Sequence, residues 1–430
     1  MRLSIIALIS FVATLTGFAA PATAFCGFYV ARADGELYNE ASKVVIARNG
    51  RRSVITMSSD YRGAANEFAM IVPTPRVLRR DQVKTVKPET VDHLDAYTAP
   101  RLVEYFDHDP CQPQLFAAPV MEESASIFSN RSAPDRNRGA RALGVTIKAE
   151  YAVGIYDIAI LKAKQSDGLI TFLRNDGYTI PDGADQALQS YIKDGMKFFV
   201  ARVNLSRHQV GKSQDLPPLQ ISFRSDKFML PIQLGKINSA GSQDMLLYTL
   251  TKNGRVDLAN YDVERIPTGT SVPVFVEHFF GEFYTDMFNR LAPKSGAILE
   301  YAWDMAWCDP CAADPLSKAE LKELGVNWLK IADKNAGQDV FVTRLHLRYG
   351  KNSFRQDLIL SETDDRENFQ GRYVMNHPYD GEITCKAGRE YVQNTRKRLA
   401  QEAHDLHQLT GWQRGIINRN IARSVPAIYH

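Results

Sequence analysis

The sequence predicts an α+β fold with mostly antiparallel sheets, interspersed helices and a long C-terminal helix. Short runs rich in Val, Ile and aromatic residues recur between turn residues, as they do in antiparallel sheets. Asn-Gly dipeptides beside several of these runs indicate tight hairpins. Stretches with helical spacing of apolar residues separate the runs, and the last such stretch follows Cys385.

The N-terminus has the pattern of a secretory signal peptide. Arg2 precedes an apolar run from Leu3 to Leu15, and Ala22-Thr23-Ala24 has the small residues that signal peptidase requires. An uncleaved anchor is the alternative. Phe25 would begin the mature chain, and its bulk argues against lipidation of Cys26, because a lipobox needs a small residue there. We therefore expect a periplasmic or secreted protein whose thiols meet an oxidising environment.

Strands are predicted from local patterns along the whole chain. Residues 44–48 and 53–57 flank Asn49-Gly50, a hairpin signal because both turn positions need positive φ. Residues 246–250 followed by residues 252–256, which contain Asn-Gly, predict a second hairpin. The remaining predicted strands are residues 67–72, 151–162, 196–203, 219–223, 299–307 and 341–347.

Helices are predicted between these strands. The shorter ones cover residues 167–173 and 187–192, and an apolar stripe over residues 276–291 is typical of a helix packed on a core. Another begins after Ser317, which forms a capping box with the glutamate three residues on. After Cys385 the chain reads as a long helix.

Composition divides the chain into five parts. A segment rich in Ser, Asn, Arg and Ala with little apolar periodicity indicates a linker. The predicted parts are a signal peptide at residues 1–24, an N-terminal β-rich unit at 25–121, a flexible loop or linker at 122–142, a main α+β unit at 143–385 and a basic helical tail at 386–430. The tail carries a charge of +5, which indicates either a solvated face or contact with anionic envelope surfaces.

The overall charge excludes one class of partner. A formal net charge of +3 is too small to indicate a nucleic-acid surface. No segment after the N-terminal run is apolar for long enough to span a bilayer, so no transmembrane segment is expected in the mature chain. Glycine-rich phosphate loops and hydrolase signatures are absent from the sequence. Ser190-x-x-Lys193 lacks the companion motifs of penicillin-interacting enzymes, so no catalytic residue and no cofactor is assigned.

Motifs along almost the entire mature chain resemble the bacterial domain-of-unknown-function family numbered 2330. The resemblance implies an exported bacterial protein without an established activity, and it brings no catalytic residues with it. The motifs that carry it are FCGFYV from Phe25, DYRG from Asp60, FAMIVPTP from Phe68, YFDHDPC from Tyr105, YDIAIL from Tyr156, GMKFFV from Gly195, KFMLP from Lys227, WCDPC from Trp307 and NFQGRY from Asn368.

Two of the five cysteines form a Cys-x-x-Cys motif after Trp307. We expect a structural disulfide between Cys308 and Cys311. The alternative is a thiol–disulfide oxidoreductase, because Trp-Cys-x-Pro-Cys at a strand end resembles the thioredoxin motif. Two features disfavour catalysis: the next helix begins only after Ser317, and the acidic Asp309 would raise the pKa of a neighbouring thiol.

The other three cysteines, Cys26, Cys111 and Cys385, would supply one further bridge and one free thiol. The sequence does not choose among the three pairings. Any of them would join distant parts of the chain.

The sequence predicts no metal site. His404-x-x-His407 shares a helix face, but zinc needs a second pair of ligands. Asp107-His108-Asp109 could contribute to a calcium site, yet it lacks the alternating ligands of a dedicated loop.

Two functions remain: a non-enzymatic envelope protein that binds or scaffolds an unknown protein or ligand, and an oxidoreductase that uses Cys308 and Cys311. The oligomeric state is not predicted.

Cleavage by signal peptidase should leave Phe25 as the N-terminal residue, because Ala24 ends the small-residue site. Intact-mass and N-terminal peptide analysis of protein purified from the envelope fraction would test this. Peptides from residues upstream of Phe25 in that protein would contradict it.

Overall fold

A computed structural model describes residues 28–31, 42–59, 67–112, 144–204 except 179 and 182, 216–238, 242–309, 313–330 and 339–429 except 351. The predicted signal peptide, Cys26, the linker at residues 122–142 and Cys311 lie outside these ranges.

The described residues form strands and helices in the following order. The strands are β1 (Phe28–Ala31), β2 (Ser42–Asn49), β3 (Arg52–Ser59), β4 (Glu67–Thr74), β5 (Val83–Thr85), β6 (Arg101–Phe106), β7 (Val145–Val153), β8 (Tyr156–Ala163), β9 (Lys197–Asn204), β10 (Leu219–Arg224), β11 (Met229–Leu230), β12 (Gln243–Thr251), β13 (Val256–Leu258), β14 (Glu264–Arg265), β15 (Thr270–Ser271), β16 (Ala297–Asp304), β17 (Phe341–Tyr349), β18 (Leu358–Glu362), β19 (Phe369–Gln370) and β20 (Arg372–His377). The helices are α1 (Pro88–Thr98), α2 (Ser166–Asn175), α3 (Ala184–Lys193), α4 (Phe280–Ser295), α5 (Lys318–Glu323), α6 (Lys386–Thr410), α7 (Arg414–Ser424) and α8 (Pro426–Tyr429).

A nine-stranded sheet is the largest element of the fold. Eight strands lie in the order β14-β16-β17-β12-β2-β3-β10-β5, and β19 pairs with β16. Most neighbours are antiparallel, but β12 and β2 are parallel, as are β14 and β16. The predicted hairpin at Asn49-Gly50 is confirmed by the antiparallel register of β2 with β3.

A five-stranded antiparallel sheet packs against this large sheet. Its strand order is β1-β4-β9-β8-β7. Residues of β4 alternate between two cores: Met70 and Val72 face the core shared with the nine-stranded sheet, whereas Ala69 and Ile71 face the core under α2 and α3. The opposite face of the nine-stranded sheet forms a third core with α1 and α5. The architecture is therefore layered: α2 and α3 lie outside the five-stranded sheet, and α1 and α5 lie outside the nine-stranded sheet.

Two smaller three-stranded sheets complete the pairing. One has the order β11-β18-β13 and is antiparallel, and the other has the order β15-β20-β6 and is parallel. The predicted α+β class with mostly antiparallel sheets is confirmed.

Two strand predictions were wrong. Residues 151–162 were expected to form one strand, but they divide between β7 and β8, and Gly154 turns the chain with a φ of 58°. The second predicted hairpin is absent, since β12 pairs with β2 and β17 whereas β13 pairs with β18. Gly254 is needed there for close packing: a Cβ would lie 2.4 Å from the carbonyl oxygen of Asp365.

The long C-terminal helix is confirmed as α6, which ends at Gly411 in the left-handed conformation with a φ of 78°. Its buried positions include Leu399, Ala403 and Leu406, the three residues predicted to share one side. They join the core between the two large sheets, together with residues of α4 and α7.

Strands that precede residues 122–142 in the sequence pair with strands that follow them: β4 pairs with β9, and β2 pairs with β12. The division of the chain into separate units stays a prediction. In the ranges that the structure describes, no helix combines the length and apolar character needed to cross a bilayer.

Gly325→Ala should destabilise the fold by about 2–4 kcal/mol, through overpacking and backbone strain. Gly325 has a φ of +102°, and a Cβ there would lie 2.5 Å from the Cβ of the buried Val54. Gly281→Ala is the matched control, because Gly281 lies in α4 with no atom within 4 Å of an added Cβ. Urea unfolding should show unchanged or slightly higher stability for this control, and equal stabilities for the two variants would contradict the packing described.

Candidate functional site

The corner that contains Cys308 projects from the end of β16. The predicted strand 299–307 ends at Asp304, and the following turn leaves Cys308 exposed and Trp307 67% exposed. Asp309 is buried and anchors the corner, since its carboxylate accepts hydrogen bonds from Tyr301 Oη at 3.0 Å and from Gln370 Nε2 at 2.8 Å. Asp309 thus fixes the backbone while the preceding two side chains face solvent.

The pairing of Cys308 with Cys311 stays a prediction, because Cys311 lies outside the described residues. The helix start after this motif is confirmed. Ser317 caps α5, its Oγ accepts from the backbone N–H of Glu320, and Glu320 Oε2 accepts from the backbone N–H of Ser317. The N-terminus of α5 is therefore separated in sequence from Cys308, as the sequence indicated.

A long-range disulfide joins Cys111 to Cys385, and it is one of the three pairings that the sequence left open. It closes a loop with a sequence separation of 274 and holds the N-terminus of α6 beside the segment after β6. Asp107 strengthens this junction, because its carboxylate accepts from Arg398 Nη2 and from Tyr391 Oη, each at 2.7 Å. The Arg398 charge and these hydrogen bonds outweigh burial and lower the pKa of Asp107.

Three of the side chains considered as metal ligands have partners within the protein. Asp107 pairs with Arg398, Asp109 accepts from the backbone N–H of Cys111, and His407 Nδ1 lies 2.7 Å from the carbonyl oxygen of Trp412. Among the described residues, no group of three or more His, Cys, Asp and Glu side chains could hold a metal ion.

A buried ion network crosses the middle of the molecule. Glu300 on β16 is fully buried, and its carboxylate accepts from Arg344 Nε at 2.6 Å. Arg344 also donates to Asp95 of α1 at 2.7 Å, while Tyr284 of α4 donates to Glu300. His346 Nδ1 lies 3.1 Å from Glu300 Oε1. The network therefore connects α1 and α4 to strands β16 and β17 of the nine-stranded sheet.

Opposite charges within this network set the protonation of its members. Burial would raise the pKa of Glu300, but the Arg344 charge and a hydrogen bond to His346 outweigh it and lower the pKa to about 2. Burial would lower the pKa of His346, yet its bonds to Asp244 and Glu300 raise it. The groups pair with one another, which is the arrangement of a structural core. The alternating pattern of β16 predicted one apolar face and gave no signal that Glu300 is buried.

An apolar cavity lies between the two large sheets. Its volume is about 310 Å³, at the lower end of the range for small-molecule sites. The walls come from β3, β4, β10 and β11 and from the residue before β9. They include Ile55, Met57, Val72, Pro73, Pro75, Met196, Ile221, Phe223, Met229, Leu230 and Pro231.

The charged residues at this cavity are neutralised by neighbours. Lys227 Nζ lies 3.7 Å from Asp194 Oδ2, and Asp226 Oδ1 lies 2.6 Å from Arg51 Nε. The cavity therefore offers an apolar lining without an uncompensated charge.

A second cavity, of about 660 Å³, adjoins the first, because Pro75 and Phe223 line both. Its lining is cationic. The basic residues are Arg52, Arg76, Arg79, Lys197 and Arg224, and the acidic one is Asp81, which pairs with Arg79 at 2.9 Å. We name the apolar and the basic space together the amphiphilic cleft.

Sequence reasoning missed the amphiphilic cleft. Its apolar residues were assigned to strands, but nothing local indicates that β3, β4 and β10 leave a gap between them. Arg52 follows the Asn49-Gly50 turn, and Arg224 comes directly after the predicted strand at residues 219–223. No local pattern distinguishes either residue from an ordinary exposed arginine. The pairing of β3 with β10 is what places the two opposite each other.

A family model described as an uncharacterized protein conserved in bacteria, DUF2330, matches residues 20–361. Comparison with curated proteins and with solved structures found no match.

Glu300→Gln should lower the free energy of unfolding by about 3–5 kcal/mol at neutral pH, because it leaves Arg344 and His346 buried beside a neutral amide. The folded pKa of about 2 lies below the ordinary 4.5, so the contribution of Glu300 is present above pH 4.5 and is lost as pH falls towards 2. The variant should therefore lose stability less steeply in that window.

Glu367→Gln is the matched control, because Glu367 pairs with Arg265 at the surface and should change stability by less than about 1 kcal/mol. Denaturant unfolding at several pH values checks both variants. Equal effects at the two positions would refute the network's role in stability.

Proposed function

Because this chain belongs to the DUF2330 family of uncharacterized bacterial proteins, we propose that it is an exported envelope protein that binds a ligand without catalysing a reaction. The ligand enters the apolar part of the amphiphilic cleft. The observation that carries this proposal is the concave apolar space of about 310 Å³ between the two sheets.

Export has two supports. The sequence before Phe25 has the features of a cleaved signal peptide. The Cys111–Cys385 disulfide suits an oxidising compartment such as the periplasm, since cytosolic thiols are kept reduced. We accordingly place the protein in the periplasm or outside the cell.

Binding is supported by the composition of the cleft. Ordinary surfaces rarely keep apolar side chains in contact with water in a concave arrangement, and such cavities are the usual sites of small ligands. Phe223 and Met196 border the space while remaining largely buried, so the walls are held by the core. A site with packed walls loses little entropy when it binds.

A thiol–disulfide oxidoreductase is the second candidate, because Cys308 is exposed beside Trp307 on a fixed corner. It has less support than binding. The capped start of α5 at Ser317 puts the favourable end of the helix dipole well past Cys308 in sequence.

Met229→Trp should weaken binding of a neutral apolar dye such as Nile red, because the larger side chain occupies the cavity that Met229 lines. Ile359→Trp is the matched control: Ile359 pairs with Met229 across β11 and β18, is 47% exposed and lies outside the cavity lining. Dye fluorescence titrations should give an affinity at least about ten-fold weaker for the first variant and unchanged for the second. Retained dye affinity in a folded Met229→Trp protein would refute the proposed site.

A further inference from the structure

We propose that the ligand of the amphiphilic cleft is a free single-chain amphiphile with an anionic head group. Its alkyl chain occupies the apolar cavity and its head group lies in the basic cavity, against Arg52 and Arg224. This inference rests on the proposed binding function and adds the chemical class of the ligand.

The apolar walls suit an alkyl chain better than a peptide. Three wall residues, Pro73, Pro75 and Pro231, have no backbone N–H to donate to a peptide strand. The methionines Met57, Met196 and Met229 supply polarisable thioether side chains, which pack well against the irregular outline of an alkyl chain. An alkyl chain has no polar groups, so it leaves no hydrogen bond unsatisfied inside the cavity.

The basic cavity contains a pair of like charges in an unfavourable arrangement. Arg52 on β3 and Arg224 on β10 are directly opposite in the antiparallel register, so both side chains leave the same face of the sheet. Both are exposed, and within the described residues neither guanidinium has a hydrogen-bond or salt-bridge partner. Like charges in this position destabilise a sheet unless an anion lies between them.

Lys197 adds to the positive charge on the other side of the cavity. Its ammonium group donates to the carbonyl oxygen of Gly195, and burial together with the nearby charges of Lys162 and Lys148 lowers its pKa. An anionic head group would neutralise part of this concentration of positive charge. Carboxylate and phosphate are the groups that arginine forks bind with two parallel hydrogen bonds.

The two cavities adjoin at Pro75 and Phe223, which line both. A single molecule that passes these two side chains would place its apolar part in one cavity and its anionic part in the other. The apolar space is a concave, partly open cavity between two sheets, which fits one chain taken up from solution rather than a surface that lies flat on a bilayer.

Isothermal titration calorimetry with dodecanoate, below its micelle concentration, tests the proposal. The comparators share the chain length and differ in charge: dodecanol is neutral and dodecyltrimethylammonium is cationic. Dodecanoate should bind at least about ten-fold more tightly than either comparator.

Replacing both arginines, Arg52→Gln with Arg224→Gln, should remove most of this preference by weakening dodecanoate about ten-fold while leaving dodecanol unchanged. Arg423→Gln is the matched control, since Arg423 is exposed on α7, far along the chain from either cavity. Thermal unfolding confirms that the variants fold, and replacing exposed like charges should not lower stability.

The outcomes distinguish the existence of an apolar binding site from the anionic class of its ligand. Equal affinities for dodecanoate and dodecanol, or an unaltered preference in the double variant, would overturn the anionic ligand class while leaving an apolar binding site. Loss of all binding in Met229→Trp alone would support the cavity as the site of the chain. Absence of binding by every chain compound would overturn both proposals. Flotation with phosphatidylglycerol vesicles that dodecanoate does not displace would show a bilayer-binding surface and overturn the free amphiphile.

Discussion

The parallel pairing of β2 with β12 is the constraint on which the remaining architecture depends. These strands lie at the middle of the nine-stranded sheet, in a register that places Met245 opposite Ser42 and Leu250 opposite Ala47. On one side of the pair are β3, β10 and β5, and on the other are β17, β16 and β14. The first group provides one wall of the amphiphilic cleft, and the second holds Glu300 and Arg344. Without this pairing, the strands that line the cleft and the strands that hold the ion network would no longer belong to one sheet.

The arginines in the two halves of the nine-stranded sheet differ in whether they have carboxylate partners. Arg344 in the interior is matched by Glu300 and Asp95, because an unmatched buried cation would cost several kcal/mol or more. Arg52 and Arg224 at the edge are opposite each other without a carboxylate between them. Water screens part of that repulsion, so the surface tolerates the pair with a smaller loss of stability than the interior would. The contrast between matched charge inside and unmatched charge at the cleft favours a ligand role for the second pair.

Local features of the fold could be predicted from the sequence, and features that depend on distant pairing could not. The hairpin of β2 and β3 and the capped start of α5 follow from signals within a few residues, namely Asn49-Gly50 and Ser317 with Glu320. The Asn253-Gly254 signal failed because β12 is already paired on both edges, so β13 must join a different strand. The amphiphilic cleft was missed for the same reason: β3, β4 and β10 are brought together by pairing, and no local pattern marks the space between them.

The Cys111–Cys385 bridge has a consequence for the order of folding. Its two sulfurs are separated by 274 positions, and Cys385 lies beyond every strand of the two large sheets. During vectorial synthesis or translocation, the sheets can begin to assemble before the second sulfur emerges. The bond then forms late, on a chain whose strands are already aligned, when most of the entropy of closing the loop has been lost. Oxidation would therefore stabilise the fold after the sheets have assembled. A chain that formed a different disulfide earlier would have to exchange it for the Cys111–Cys385 bridge to reach the native structure.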